Sequence, residues 1–149
     1  RGCEVTLRIL HDLRALIASP PGGAPVAVGA AASGDQYALG TTMAELVLRD
    51  NRWNAISLGS NLPFDTLVAA LEQYRPRLFW LSCSHVEDEQ SFIRGYGQLY
   101  DACVGGVALV VGGRALTERL RQQMKYAAHC DSMRHLESFV QSLQHVAHR

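Results

Sequence analysis

The chain is 149 residues long, 48% of them hydrophobic and 19% charged, and 14 Lys and Arg balance 14 Asp and Glu. That profile fits one globular domain with a sizeable core. Zero net charge leaves no basic surface for holding nucleic acid unaided, and no apolar run reaches the length of a membrane span.

Residues 3–18 read as a helix, with Val5, Ile9, Leu13, Leu16 and Ile17 on one face. Ser19-Pro20-Pro21-Gly22-Gly23 then breaks it. Because the first residue is Arg1 and not Met, we expect a fragment of a longer protein, with 1–20 either a helix packed on the following domain or the end of an upstream helical domain, and 26–149 the domain itself. Val26–Ala32 is continuously apolar, as a strand buried on both faces should be. Thr42-x-x-Glu45 has the form of a capping box and predicts a helix from about Thr42 to Asp50. Trp53–Leu58 is the second strand, and Asn61-Leu62-Pro63 opens the next helix.

Leu78–Leu81 leads the third strand into Ser82-Cys83-Ser84. Ser84-x-x-Glu87 is a second capping-box pattern, ahead of a helix bearing Phe92, Tyr96, Leu99 and Cys103 on one side. Val107–Val111 is the fourth strand, Leu116–Gln123 a short helix and Tyr126–His129 a weak fifth strand. Asp131 or Ser132 caps a last helix with Leu136, Val140 and Leu143 inward. Strands alternating with helices predict an α/β three-layer sandwich with a flavodoxin-like, five-stranded parallel sheet of order 2-1-3-4-5.

In such sheets a ligand sits outside the carboxyl ends of the strands, near the switch in strand order. The segments expected there are Ser33–Thr41, Ser82–Ser84 and Gly112-Gly113, all built from small residues that allow close backbone approach. A phosphoacceptor receiver needs an Asp ending the third strand and a Lys after the fifth, and this chain has neither. A flavin phosphate would meet the carboxylate of Asp35, which is unfavourable. Cys3, Cys83, Cys103 and Cys130 are too scattered for a zinc site of standard spacing, and they suit a reducing cytoplasm.

The spacing Asp35-x-Tyr37-x-x-Gly40, then Ser82-x-Ser84, then Gly112-Gly113 resembles the signature of cobalamin-binding domains: Asp-x-His-x-x-Gly, Ser-x-Leu, Gly-Gly. With Leu58-Gly59 preceding Pro63, the chain is most similar to the sensory domain of MerR-type, cobalamin-dependent, light-responsive transcription regulators. The resemblance implies that Ser82, Ser84, Gly112 and Gly113 line a slot for the cofactor's nucleotide tail. It implies that Asp35, Tyr37, Gly40, Leu58 and Gly59 also face the cofactor. The family's cobalt-ligating His is replaced by Tyr37, whose phenol has a pKa near 10 and is a poor neutral ligand. Water or the cofactor's own base could then serve as lower ligand, and His85, just past the third strand, is the candidate substitute metal ligand, with Cys83 read as a small core residue.

We find no nucleophile–base pair and no paired carboxylates, so no enzymatic activity is expected. The reading is a ligand-sensing domain of a transcription regulator, binding cobalamin or a related tetrapyrrole without the usual His. DNA would be reached only through a domain outside this sequence, and no membrane is involved. The alternatives are a corrinoid carrier module of a methyltransferase, or a degenerate domain that serves dimerisation without cofactor. A homo-oligomer is compatible with each.

Overall fold

The structure, a computed structural model, describes residues 22–32 and 39–147. The helix expected over 3–18, and with it Asp35 and Tyr37, lie outside the described residues. The element order is β1 (Val26–Ala31), α1 (Leu39–Asp50), β2 (Asn54–Ser57), α2 (Phe64–Tyr74), β3 (Leu78–Ser82), α3 (Glu89–Cys103), β4 (Ala108–Gly112), α4 (Glu118–Arg121), β5 (Ala128–His129) and α5 (Met133–Ala147). The five strands form one sheet of order β2-β1-β3-β4-β5, parallel at every pairing, as the alternation of strands and helices predicts. The register sets Gly29 beside Trp80, Trp80 beside Val110 and Ser82 beside Gly112.

Helices cover both faces, so strand residues of either parity are buried. One face carries Val28, Phe79, Leu81, Leu109 and Val111 against Leu67 of α2, Phe92 and Leu99 of α3, and Leu120 of α4. The other carries Ala27, Leu78, Trp80 and Val110 against Ala44 and Leu48 of α1 and Leu136 and Val140 of α5. This is why the central strands read as continuous apolar runs with no alternation.

Both capping boxes give way to other solutions. Helix α1 begins at Leu39, three residues before the expected cap, and Thr42 and Glu45 are buried inside it, 9% and 3% exposed. Glu45 is taken by Arg49, 3.1 Å away one turn on, and Arg49 also donates to the Ala55 carbonyl of β2. The second helix starts five residues past Ser84: Asp88 is the N-cap, and its carboxylate accepts from the Gln90 N–H and the Ser91 hydroxyl. Those bonds hold the Asp88 carboxyl below the usual carboxylate range, the Ser91 hydroxyl most of all. At α5 the cap is Ser132, whose hydroxyl accepts from the His135 N–H.

Candidate functional site

A cleft of about 190 Å³ opens where β3 and β4 end, on the face covered by α1 and α5. Its sheet side is built from Trp80 and Ser82 of β3 with Ser84 just beyond, and from Val110 and Gly112 of β4 with Gly113 beyond. Gly40 and Ala44 of α1 form one flank. Cys130, Asp131 and Ser132, then Met133 and Leu136 of α5, form the other. The two helices pack together through Ala44, Leu48, Leu136 and Val140 and are tied just past the end of α1. There Asn51 donates to Glu137 at 3.4 Å and accepts from Gln141 at 3.3 Å. Both helices follow parallel strands and start at the carboxyl edge, and the cleft is lined by their first turns.

Missing side chains shape the mouth. A Cβ on Gly40 would lie 2.6 Å from the Ser82 hydroxyl, and one on Gly112 would lie 2.7 Å from the Cys130 carbonyl. Glycine therefore lets α1 close on β3, and β4 on the end of β5. The Ser82 side chain is only 9% exposed, faces the cleft and makes no hydrogen bond to a described residue. The Cys130 thiol is pushed up to about 11, first by burial and then by the neighbouring Asp131 charge, so it is protonated at neutral pH and offers no thiolate.

Among the described residues Trp80 is the one large ring in the lining. Its indole rests on β1, where a Cβ on Gly29 would fall 1.9 Å from the ring. Its Nε1–H donates to the Thr41 hydroxyl at 2.8 Å. The Thr41 oxygen lies 3.4 Å from that of Ser57, which accepts from the Gly59 N–H at 3.4 Å. One chain of polar contacts thus joins the cleft wall, the first turn of α1 and the loop after β2. Thr41 is 1% exposed, so Thr41→Val would strand a buried indole N–H. We expect that substitution to destabilise the fold by about 1–3 kcal/mol, measured by denaturant unfolding.

Gly40, Ser82, Ser84, Gly112 and Gly113, drawn from three separate segments of sequence, come together around this cleft. Leu58 and Gly59 do not line it; they lie past the end of β2, linked to it through Ser57 and Thr41. His85 is exposed and outside the lining. Among the described residues no group of three or more His, Cys, Asp or Glu is placed to hold a metal ion. No helix among them is long and apolar enough to cross a membrane. Sequence reading missed the α5 flank and the part Trp80 plays. The end of β5 at Cys130–Ser132 was the available signal, since every strand's carboxyl end in a parallel sheet abuts the ligand edge.

No known family model matches the chain, and no curated protein sequence matches it. Solved structures do. A novel cobalamin-binding protein from Desulfitobacterium hafniense DCB-2 superposes with a TM-score of 0.69 at 16% identity, over 80% of this chain and 59% of that one. The monomethylamine corrinoid protein of Methanosarcina barkeri gives 0.68 at 14%, over 79% and 57%. The methanol:cobalamin methyltransferase complex MtaBC of the same organism gives 0.71 at 16%, over 90% and 52%. The chain thus spans a little over half the length of these structures. With five parallel strands in the order 2-1-3-4-5, flanked by helices on both faces, it has the flavodoxin-like α/β fold of these corrinoid proteins.

Proposed function

We propose that this chain is a cobalamin-binding module whose cleft holds the cofactor's nucleotide base. What carries the reading is the convergence of Gly40, Ser82, Gly112 and Gly113 on one cleft at the ligand edge of the sheet. Those positions match a cobalamin-binding signature in sequence, and solved proteins of the same fold are named for cobalamin or corrinoids. The residues fit the group. An apolar cavity of about 150 Å³ takes benzene, so a cleft of about 190 Å³ suits a flat heteroaromatic base and not a whole corrin. The ring would lie above the strand ends, as the resemblance implies, with Asp35, Tyr37, Leu58 and Gly59 nearest to it. When bound, the corrinoid would supply its cobalt as the site of ligand exchange or group transfer. The protein's residues would seat the base and exclude water from it.

Two uses of such a module each have an observation behind them. A carrier that presents the corrinoid to a methyltransferase is the use the solved structures favour. A regulatory domain that reports cobalamin to a DNA-binding domain is favoured by Tyr37, because losing the His removes the ligand with which carriers tune cobalt. Neither use requires a catalytic side chain in this chain.

Equilibrium dialysis against hydroxo-, methyl- and adenosylcobalamin tests the module. We expect saturable uptake of one cobalamin per chain, weak enough to be lost in gel filtration. No saturable uptake of any form would leave a domain without cofactor. A change of oligomeric state on illuminating the adenosylcobalamin-loaded protein would select the regulator. Methyl exchange with an added methyltransferase would select the carrier.

A further inference from the structure

We propose that Trp80 sets the width of the cleft, and thereby the size of lower base this chain accepts: a fused bicycle and not a tricycle. This rests on the cobalamin-binding reading above and adds a specificity determinant to it. The resemblance describes a slot lined by small residues, and Trp80 is a departure from that description.

The indole cannot retreat. Behind it is the bare Cα of Gly29, so close that even a methyl group there would overlap the ring. Thr41, itself fully buried, holds the Nε1–H. Trp80 is only 3% exposed and is a wall packed from behind, not a mobile lid. The opposite wall, Met133 and Leu136, belongs to α5, which is tied to the end of α1 through Asn51. Two walls, each anchored to α1, border an open-mouthed cleft of about 190 Å³. That exceeds by only a small margin the roughly 150 Å³ that accommodates a single benzene ring in an apolar core. A second fused ring uses the remaining room, and a third would have to displace the indole or part the helices. A close-packed interior resists both.

The test compares three corrinoids that differ only below the ring: cobinamide, which has no base, and corrinoids carrying benzimidazole or the tricyclic naphthimidazole. Dissociation constants would be measured for the wild type, Trp80→Phe and Trp80→Leu. A misfit of even one methylene in an apolar site costs about 10–200-fold, so the wild type should prefer the bicycle over the tricycle by at least about tenfold. In the Trp80 variants that preference should collapse to within roughly threefold, with cobinamide giving the base-independent affinity of each variant. Trp80→Phe keeps an aromatic ring in the core and carries the comparison if Trp80→Leu fails to fold.

An undiminished preference in folded variants would overturn the proposal, as would a wild type indifferent to base size. Either result would leave the cobalamin-binding reading standing. A chain that binds none of the three corrinoids would overturn both.

Discussion

Gly113→Ala should be among the most damaging single substitutions in this chain, removing roughly 2–6 kcal/mol of stability: about 1–3 for backbone strain and about 1–3 for overpacking. Gly113 has a φ of 120°, which only glycine adopts freely. The added methyl would also lie 2.2 Å from the Cys83 carbonyl oxygen, 2.5 Å from its carbon and 2.8 Å from the Cys83 nitrogen. These are backbone atoms and cannot swing aside. The Cys83 N–H donates to the Gly112 carbonyl at 2.8 Å, and the Cys83 carbonyl accepts from the Ala115 N–H at 3.0 Å. Moving Cys83 therefore breaks the junction between β3 and β4 at the mouth of the cleft. Against a typical total of about 5–15 kcal/mol, the variant should melt roughly 5–20 °C below the wild type. Gly97→Ala is the matching control. Gly97 lies inside α3 with nothing within 4 Å of an added Cβ, so alanine there should stabilise by about 0.5–1 kcal/mol. A Gly113→Ala protein that melts with the wild type would show that the contact is not rigid.

The same contact explains why so much of the fold and site was legible in the sequence. Paired small residues ending one strand, and Ser-Cys-Ser ending another, are local signals of a global fact: backbones crowd where a parallel sheet meets its ligand edge. Strand order follows from the alternation of strands and crossover helices, and that order brings these segments to one edge. What stayed hidden depends on contacts between distant segments. Thr42 and Glu45 look like a cap because the pattern is local. They sit within α1 because the buried helix extends towards β3, where Gly40 admits Ser82. Met133 and Leu136 read as ordinary helix-core residues, and nothing local says that they line a cleft shared with Gly40 and Ala44 of α1. Trp80 reads as a core aromatic, which it is. That it walls the cleft follows only from its pairing with Gly29 across the sheet, 51 residues earlier in the chain.

Tyr37→His should convert weak cobalamin uptake into tight binding. A His at that position, two residues after Asp35, restores the ligand and its hydrogen-bond acceptor in the pattern the chain resembles. Outer partners of a metal-bound His are alone typically worth about 10–100-fold in metal affinity, so restoring the ligand itself should gain at least about tenfold. The gain should carry a pH signature that the wild type lacks. Only neutral imidazole ligates, and cobalt competes with the proton, so the bound His titrates below its free value of about 6.5. The added affinity is therefore fully present above about pH 6.5 and is lost as pH falls through the depressed value.

Asp35→Asn in the same background should give back about 10–100-fold of the gain, because the imidazole loses the partner that fixes its tautomer. Dialysis and visible spectra between pH 5 and 8 would read all three effects. Affinity that ignores both the substitution and the pH would mean that the loop after β1 no longer presents this position to the ring. The module would then have to hold cobalamin through the base cleft alone. A pH-linked gain would mean that one side chain separates this protein from His-on cobalt chemistry.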